Sequence, residues 1–405
     1  LPPDVSKVEM LRHWKDRLTN VGSIPPRQVN ESPLFENTQS GDDIDLWRFP
    51  VPRWHELDGG RYIGSACCVI TREPDNSWVN LGIYRVQVHD ERTLGFYISP
   101  GHHGGIMREK YWARGESCPI AITFGQEPTL WIAAGQTPSY GQSEYELAGW
   151  MRGEPVETIP GPITGLPLPA TAEIAIEGEA PPPQEESRIE GPFGEWPGYY
   201  GAGARPEPIV RVKAVYHRND PILTGAPPLK PPVLTFGLPF GAAAAWQYLE
   251  DADVPDILGT WTHAGGSSSS GGVPFLVISL TQRYAGHAQQ AAMAALGCRS
   301  AAYHGRFIVV VDDDIDPADL GEVVWAMSTR CDPKSAITIV DNCWSTPLDP
   351  VMHPDKKDAG DFTNSRAIIN ACRPYHWKDR FPPVNVISPE LKNALSEKWK
   401  ELLGA

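Results

Sequence analysis

Gly64-Ser-Ala-Cys-Cys-Val-Ile70, Trp78-Val-Asn-Leu-Gly-Ile-Tyr-Arg-Val-Gln-Val88 and Thr93-Leu-Gly-Phe-Tyr-Ile98 follow one another, separated by the turn formers Pro74-Asp75-Asn76 and Asp90-Glu91. Apolar runs rich in β-branched and aromatic residues, each bounded by turn chemistry, read as consecutive strands of a β-meander. Further strands are expected at residues 120–124, 130–134, 172–176 and 209–216, so residues 45–225 form one mostly antiparallel barrel or sandwich.

Outward from this region the pattern changes. Val8, Leu11, Trp14 and Leu18 have helical spacing, and Pro25-Pro26 ends that helix, inside an N-terminal helical or irregular segment over 1–44. A proline-dense stretch at 221–235 marks a boundary, and 226–260 reads as a linker. Residues 261–387 then alternate strand (275–280), helix (287–296), strand (307–311), helix (320–327) and strand (336–340), the pattern of an α/β domain. Gly265-Gly-Ser-Ser-Ser-Ser-Gly-Gly272 reads as a flexible surface loop. Ser388 caps a last helix over 388–405, whose stripe of Leu391, Leu395, Trp399 and Leu402 suits docking on a neighbouring subunit. The fold class is α+β.

The chain's 405 residues, 41% of them hydrophobic, suffice for a large core. A formal charge of −15 argues against nucleic acid or an anionic membrane as partner and favours a small ligand. No apolar run approaches the ~20 residues of a membrane span. Cys67, Cys68, Cys118, Cys298, Cys331, Cys343 and Cys372 are odd in number and form no C-x-x-C pair, which fits a reducing cytoplasm. There is no Walker loop, G-x-S-x-G or H-E-x-x-H at a usable junction, so nucleotide and serine hydrolysis are demoted.

Four features carry candidate chemistry. The glycine- and proline-stiffened run Arg188-Ile-Glu-Gly-Pro-Phe-Gly-Glu-Trp-Pro-Gly-Tyr-Tyr200 sets Glu190 and Glu195 in a loop that reads as neither helix nor strand. Asn80, the pair His102-His103 and Glu190 supply amide, imidazole and carboxylate ligands suited to Mn²⁺ or Mg²⁺. Arg85, five residues after Asn80, faces the opposite side of an unbulged strand and needs a bulge to turn inward and grip a carboxylate. Asp312-Asp313-Asp314 reads as a solvated turn with helix-capping aspartates.

Taken together these pieces resemble the UbiD family of prenylated-flavin-dependent decarboxylases. The anchors are Trp78-Val-Asn80-Leu-Gly-Ile-Tyr-Arg85, Ile98-Ser-Pro-Gly-His-His103-Gly104, Leu168-Pro-Ala-Thr-Ala-Glu-Ile174 with Ile176-Glu-Gly178, and Glu190-Gly-Pro-Phe-Gly-Glu195 with Gly198-Tyr-Tyr200. Further on come Gln282-Arg-Tyr-Ala-Gly-His287, Val311-Asp-Asp-Asp314 and Val324-Trp-Ala-Met-Ser-Thr-Arg330. The resemblance implies a split β-barrel flavin-binding domain joined to a C-terminal α/β oligomerisation domain. It also implies prenylated FMN held with Mn²⁺ and K⁺, the metal on Asn80, a histidine of the 102–103 pair (His103 by the family's pattern) and Glu190. Ile83, Arg85, Leu168 and Pro169 fall on cofactor-lining positions, and Arg366, or failing it Lys357, on a phosphate contact.

The implied activity is that of a cytoplasmic lyase, a non-oxidative decarboxylase of an aromatic or heteroaromatic acid, reversible at high CO₂. A flavin prenyltransferase would supply its cofactor, and it would assemble as a homo-oligomer, dimer or hexamer. Arg85 would orient the substrate carboxylate. Where family members carry an acidic residue after a Pro-Pro pair, this chain reads Pro227-Pro-Leu-Lys230, which leaves the proton donor open among Glu195, His263, Glu250 and Asp251. Family members also carry a further stretch ahead of the region matching residue 1. Two competing readings are a non-catalytic cofactor-binding subunit of a larger assembly, motivated by Leu229-Lys230, and an ordinary FMN reductase, which would not need the Asn, His and Glu set.

Overall fold

The computed structural model describes residues 5–18, 22–99, 101–136, 138, 140–230, 240–263, 274–302 and 305–400. One sheet runs in the hydrogen-bonded order Arg61–Gly64, Val86–Asp90, Thr93–Phe96, Arg205–His217, Ile174–Ala180, Cys118–Phe124, Cys68–Arg72, Val79–Gly82, with Asn37–Ser40 and Ser187–Glu190 also pairing to the long strand Arg205–His217. All of its pairings are antiparallel. Val79–Gly82 lies at one end of this order and Val86–Asp90 next to the other, yet only Ile83, Tyr84 and Arg85 join them. Four Cα steps reach no more than about 14 Å, so the sheet must curl until its ends approach. The expected split barrel is therefore enforced by one three-residue connection.

Strand alternation divides the barrel's side chains between two cores. Val69, Ile120, Ile122, Ile174 and Ile176 fill the inside, while Cys68, Ile70, Ala121 and Ala175 pack outward against the helices Pro128–Ala134 and Glu144–Arg152. On the long strand, Val210 and Val212 face in, Ala214 faces out and Val215 faces in again, a change of phase beside the register shift at Glu177/Gly178.

Several expectations are corrected. Residues 130–134 lie in a helix, because Pro128 occupies its first turn and Glu127 accepts from Thr129 N, so the short apolar run is wound rather than extended. The segment 1–44 is shared between the two halves of the molecule. Helix Lys7–Leu18 puts Leu11 into the C-terminal core, whereas Arg27–Gln28 and Asn37–Ser40 pair with strands of the barrel half. The expected linker 226–260 contains helix Phe240–Asp251 and strand Ile257–His263, and Trp246 and Leu249 are sealed in the same C-terminal core. The stiff run after Arg188 begins as strand, since Ser187–Glu190 pairs antiparallel with the start of Arg205–His217.

In the second half the sheet order is Ile257–His263, Phe275–Leu280, Phe307–Asp312, Thr363–Asn370, Ile337–Trp344, parallel at its centre and antiparallel at both edges. Leu276, Ile278, Ile308 and Val310 face the helices Lys7–Leu18, Phe240–Asp251 and His287–Gly297, while Val277, Val309 and Val311 face helix Leu320–Arg330. Asp313 and Asp314 do lie in an exposed turn, but Asp312 ends the strand before it, is 3% exposed and takes Arg330 at 3.1 Å and Arg373 at 3.0 Å, while Asp314 takes Arg330 at 2.8 Å. Ser388 does cap the last helix, Pro389–Lys398, and Leu391, Leu395 and Trp399 lie exposed on it. Leu402 and the glycine-serine run 265–272 fall outside the described residues. Among the described residues no helix is long and apolar enough to cross a membrane.

Arg366 is 2% exposed and donates to the carbonyls of Leu296, Ala301, Ala302 and Trp344, tying helix ends to the edge strand. A guanidinium spent on four backbone oxygens inside a core is a structural cation, not the phosphate contact implied by the family pattern. Arg366→Met strands those carbonyls, and at ~1–3 kcal/mol for a buried unsatisfied group it should cost at least about 3 kcal/mol in urea unfolding. The flavin content of the folded fraction should not change.

Candidate active site at the barrel seam

The connection that closes the barrel also presents a charge whose side chain is largely buried. Residues 83–85 belong to no strand, so side-chain alternation is interrupted and Arg85 turns inward without a bulge. Its Nε donates to Glu190 Oε1 at 2.8 Å and its Nη2 to Glu190 Oε2 at 2.6 Å, while Nη1 donates to Glu195 Oε1. Tyr62 OH donates to Glu190 Oε1 at 3.0 Å. The Tyr97 ring meets two cations, with Arg85 Cζ and Arg205 Cζ each 4.8 Å from its centroid.

One guanidinium between two buried carboxylates leaves a net negative charge. Burial works against the charge on Arg85, but Glu195 and Glu190 outweigh it and hold the guanidinium above its ordinary range. Burial pushes the Glu195 carboxyl up; Arg85 opposes this and Glu190 adds to it. The Tyr62 hydroxyl is raised by burial and by the charge of Glu190.

The loop carrying both glutamates is anchored from below. Asp58 accepts Gly194 N at 3.0 Å and His55 N at 2.9 Å, and Gly59 N donates to Pro192 O at 2.7 Å. A Cβ on Gly59 would lie 1.8 Å from Gly191 O, so only glycine permits this approach. His55 Nε2 sits 2.6 Å from Pro228 O, which draws the Leu229-Lys230 segment alongside.

Beside Arg85 is a cavity of about 110 Å³, walled by Ile83, Tyr84, Tyr97, Ser99, His102, Glu195, Trp196 and Leu348. Leu348 comes from the C-terminal half, where Lys357 Nζ donates to Gly201 O at 2.8 Å and holds the two halves together behind the loop.

A second polar corner lies where strand Val79–Gly82 meets helix His103–Ala113. Asn80 is 3% exposed; its Nδ2 donates to Glu144 Oε1 at 2.7 Å, and its Oδ1 is buried without a hydrogen-bond partner. That oxygen faces the helix start, 3.2 Å from where a Gly104 Cβ would stand. Glu144 also accepts Leu81 N at 2.8 Å. Burial pushes its carboxyl up to about 8, against the pull of the Leu81 and Asn80 donors.

The expected metal ligands fit a cation unequally. An orphaned amide oxygen at a helix N-terminus suits a hard cation with a phosphate. Both oxygens of Glu190, by contrast, are occupied by Arg85 and Tyr62. The doubled histidine divides: His102 lines the Arg85 cavity, while His103 opens the helix with its ring 5.2 Å from Trp78 and 5.6 Å from Tyr140. Among the described residues no group of three or more His, Cys, Asp and Glu is arranged to hold a metal.

Of the other candidates, Ile83 and Glu195 join Arg85 at the cavity. Leu168 is sealed in the outer core with Ile70 and Leu81, and neither it nor Pro169 lines the cavity. His263 is at the end of an edge strand of the C-terminal sheet with Nε2 2.9 Å from Pro317 O, away from Arg85. Glu250 pairs with Lys15 at 2.7 Å and Asp251 accepts from Gln247, both on helix Phe240–Asp251. Sequence reading missed Tyr62, Tyr97, Glu144 and Asp58, whose partners across the site, Glu190, Arg205, Asn80 and Gly194, lie far away in the chain. Only Glu144, directly after the cap residue Ser143, carried a local signal, and that signal indicates a helix start rather than a site.

Residues 27–231 match the model of the 3-octaprenyl-4-hydroxybenzoate carboxy-lyase Rift-related domain, and residues 235–371 that of the carboxy-lyase C-terminal domain. The chain is 32% identical to the phenolic acid decarboxylase of Streptomyces sp. (strain D7), over 97% of this chain and 77% of the relative. It is 30% identical to the pyrrole-2-carboxylic acid decarboxylase of Pseudomonas aeruginosa, over 93% of this chain and 77% of the relative. Its fold superposes with a TM-score of 0.81 on the UbiD-class enzyme HmfF from Pelotomaculum thermopropionicum solved with FMN, at 30% identity over 95% of this chain and 82% of that one. An evolved dimeric form of HmfF solved with prFMN gives a TM-score of 0.77 at 29% identity, over 95% of this chain and 81% of that one. The chain belongs to the UbiD family and is a carboxy-lyase.

Proposed function

We propose that this protein removes CO₂ from a small aromatic or heteroaromatic carboxylic acid held against Arg85, with prenylated FMN as its cofactor. The observation that carries the reading is the Arg85 clamp at the wall of a cavity. Arginine has five N–H donors; three are committed to Glu190 and Glu195, so donors remain for a substrate carboxylate. A cavity of about 110 Å³ is small beside the ~300–1,000 Å³ of ordinary ligand clefts, which favours a single ring. The relatives acting on phenolic and pyrrole acids support the same class.

Prenylated FMN, when bound, supplies the electron sink that loss of CO₂ requires. Asn80 Oδ1 at the start of helix His103–Ala113, with His102 or His103, would hold Mn²⁺ and the cofactor phosphate, with K⁺ beside them. Glu190 would join that set only by releasing Tyr62 or Arg85. Arg85 orients the acid, and Trp196 and Leu348 help exclude water from the reacting carbon. Glu195, at the cavity wall and pushed toward its protonated form, returns the proton. The exposed stripe Leu391, Leu395 and Trp399 supports assembly as a homo-oligomer, and a flavin prenyltransferase would supply the cofactor in a cytoplasmic setting.

Protein produced together with a flavin prenyltransferase should carry a modified-flavin spectrum and release CO₂ from some member of a panel of hydroxybenzoates and pyrrole or furan acids. Loss of turnover across the whole panel would sink the reading. Arg85→Lys, which cannot keep the bidentate fork, should lower kcat/KM at least about 100-fold.

A proton donor must hold its proton, so raising the pH through the upward-shifted Glu195 carboxyl should reduce kcat along an alkaline limb. In Glu195→Gln that limb should vanish from the residual activity. A limb that survives the substitution would assign the proton to another group.

A further inference from the structure

Asn80 can turn either end of its amide toward the helix start, and only one orientation serves a cation. An oxygen there is a ligand; an NH₂ group in the same place repels a metal. What decides between them is on the opposite side of the side chain. Glu144 stands at the first position of helix Glu144–Arg152, 1% exposed, with Oε1 2.7 Å from Asn80 Nδ2 and Oε2 2.8 Å from Leu81 N.

We propose that Glu144 is a positioning residue for cation binding, holding the Asn80 amide so that Oδ1 points at the start of helix His103–Ala113. With Oε2 accepting Leu81 N, Glu144 meets Asn80 through Oε1 as an acceptor, so it takes the NH₂ end of the amide. The bond from Leu81 N fixes the carboxylate itself, because that backbone belongs to the same strand as Asn80. Two bonds from one carboxylate to adjacent residues define its plane, and the plane defines the amide. The result is the buried Oδ1 without a partner, an arrangement that costs free energy unless something binds there. Gly104 keeps the approach clear, since a Cβ would stand 3.2 Å from Asn80 Oδ1 and 3.1 Å from Tyr84 OH. This inference rests on the reading of Asn80 as a metal ligand.

The test uses the full chain produced with its flavin, titrated with Mn²⁺ and followed by the EPR signal of free Mn²⁺, with thermal unfolding measured alongside. Glu144→Gln can offer an NH₂ group to Asn80 Oδ1 and so stabilise the inverted amide; Mn²⁺ affinity should fall about 10–100-fold, the range for loss of a group that orients a metal ligand. Glu144→Asp keeps the acceptor character at a shorter reach and should fall between wild type and Gln; it also serves if the Gln variant does not fold. In the Asn80→Ala background the Glu144 substitutions should have no further effect on Mn²⁺ affinity, because Glu144 then has nothing to orient. Equal affinity in wild type and both folded Glu144 variants overturns the inference. So does a loss that persists unchanged in the Asn80→Ala background, which would mark a general structural role. Wild-type protein that binds no Mn²⁺ overturns the metal reading of Asn80 and this inference with it, while turnover measured on the same sample tests the decarboxylase reading separately.

Discussion

Arg85 held between Glu190 and Glu195 is the interaction around which this molecule is organised. A buried guanidinium is tolerable only when paired, and breaking such a pair by removing one partner costs ~3–5 kcal/mol. The partners here come from a loop more than a hundred residues later in the chain, so the clamp ties the barrel seam to that loop. Asp58, Gly59 and His55 then fasten the loop from beneath, and the contact of Lys357 with Gly201 brings the C-terminal half against it. Barrel closure, loop and domain contact thus converge on one wall of one cavity.

The same clamp explains how the site can accept an acid. With two carboxylates on a single cation, burial and the charge of Glu190 push the Glu195 carboxyl up while Arg85 opposes them. A cation with donors to spare and a neighbouring carboxyl whose pKa is raised are the two parts on which the proposed decarboxylation rests: one to orient the departing carboxylate, the other to return a proton to carbon. The departure at Leu229-Lys230, which left the proton donor open, does not empty the site of acids, because Glu195 already stands beside Arg85. His263 does not line that cavity; its ring nitrogen is 2.9 Å from Pro317 O, at the end of an edge strand of the other sheet.

How far the sequence could be read depended on whether the signal was local. The strands around 64–98, the helices after His287 and Leu320 and the Ser388 cap were legible because period and capping are written within a few residues. Residues 130–134 were misread because a short apolar run has no period of its own, and Pro128 settled it. Arg85 was recognised, and the family pattern put it beside the substrate, but strand parity alone turned it outward, whereas the backbone leaves the strand at Ile83. Arg366 was misassigned because an arginine in a motif looks the same whether it meets a phosphate or four backbone carbonyls.

By itself the sequence determined the fold class, the family and the residue types of the site, because those rest on periodicity and on ordered motifs. Only the tertiary structure decided which groups meet. It brought Glu190 and Glu195 onto one cation, assigned His102 to the cavity and His103 to the aromatic contact, and placed Glu144 behind Asn80, 64 residues away. The physical reason is that hydrogen-bond partners and burial are properties of distance in space, and the curl of one sheet forced by residues 83–85 sets those distances.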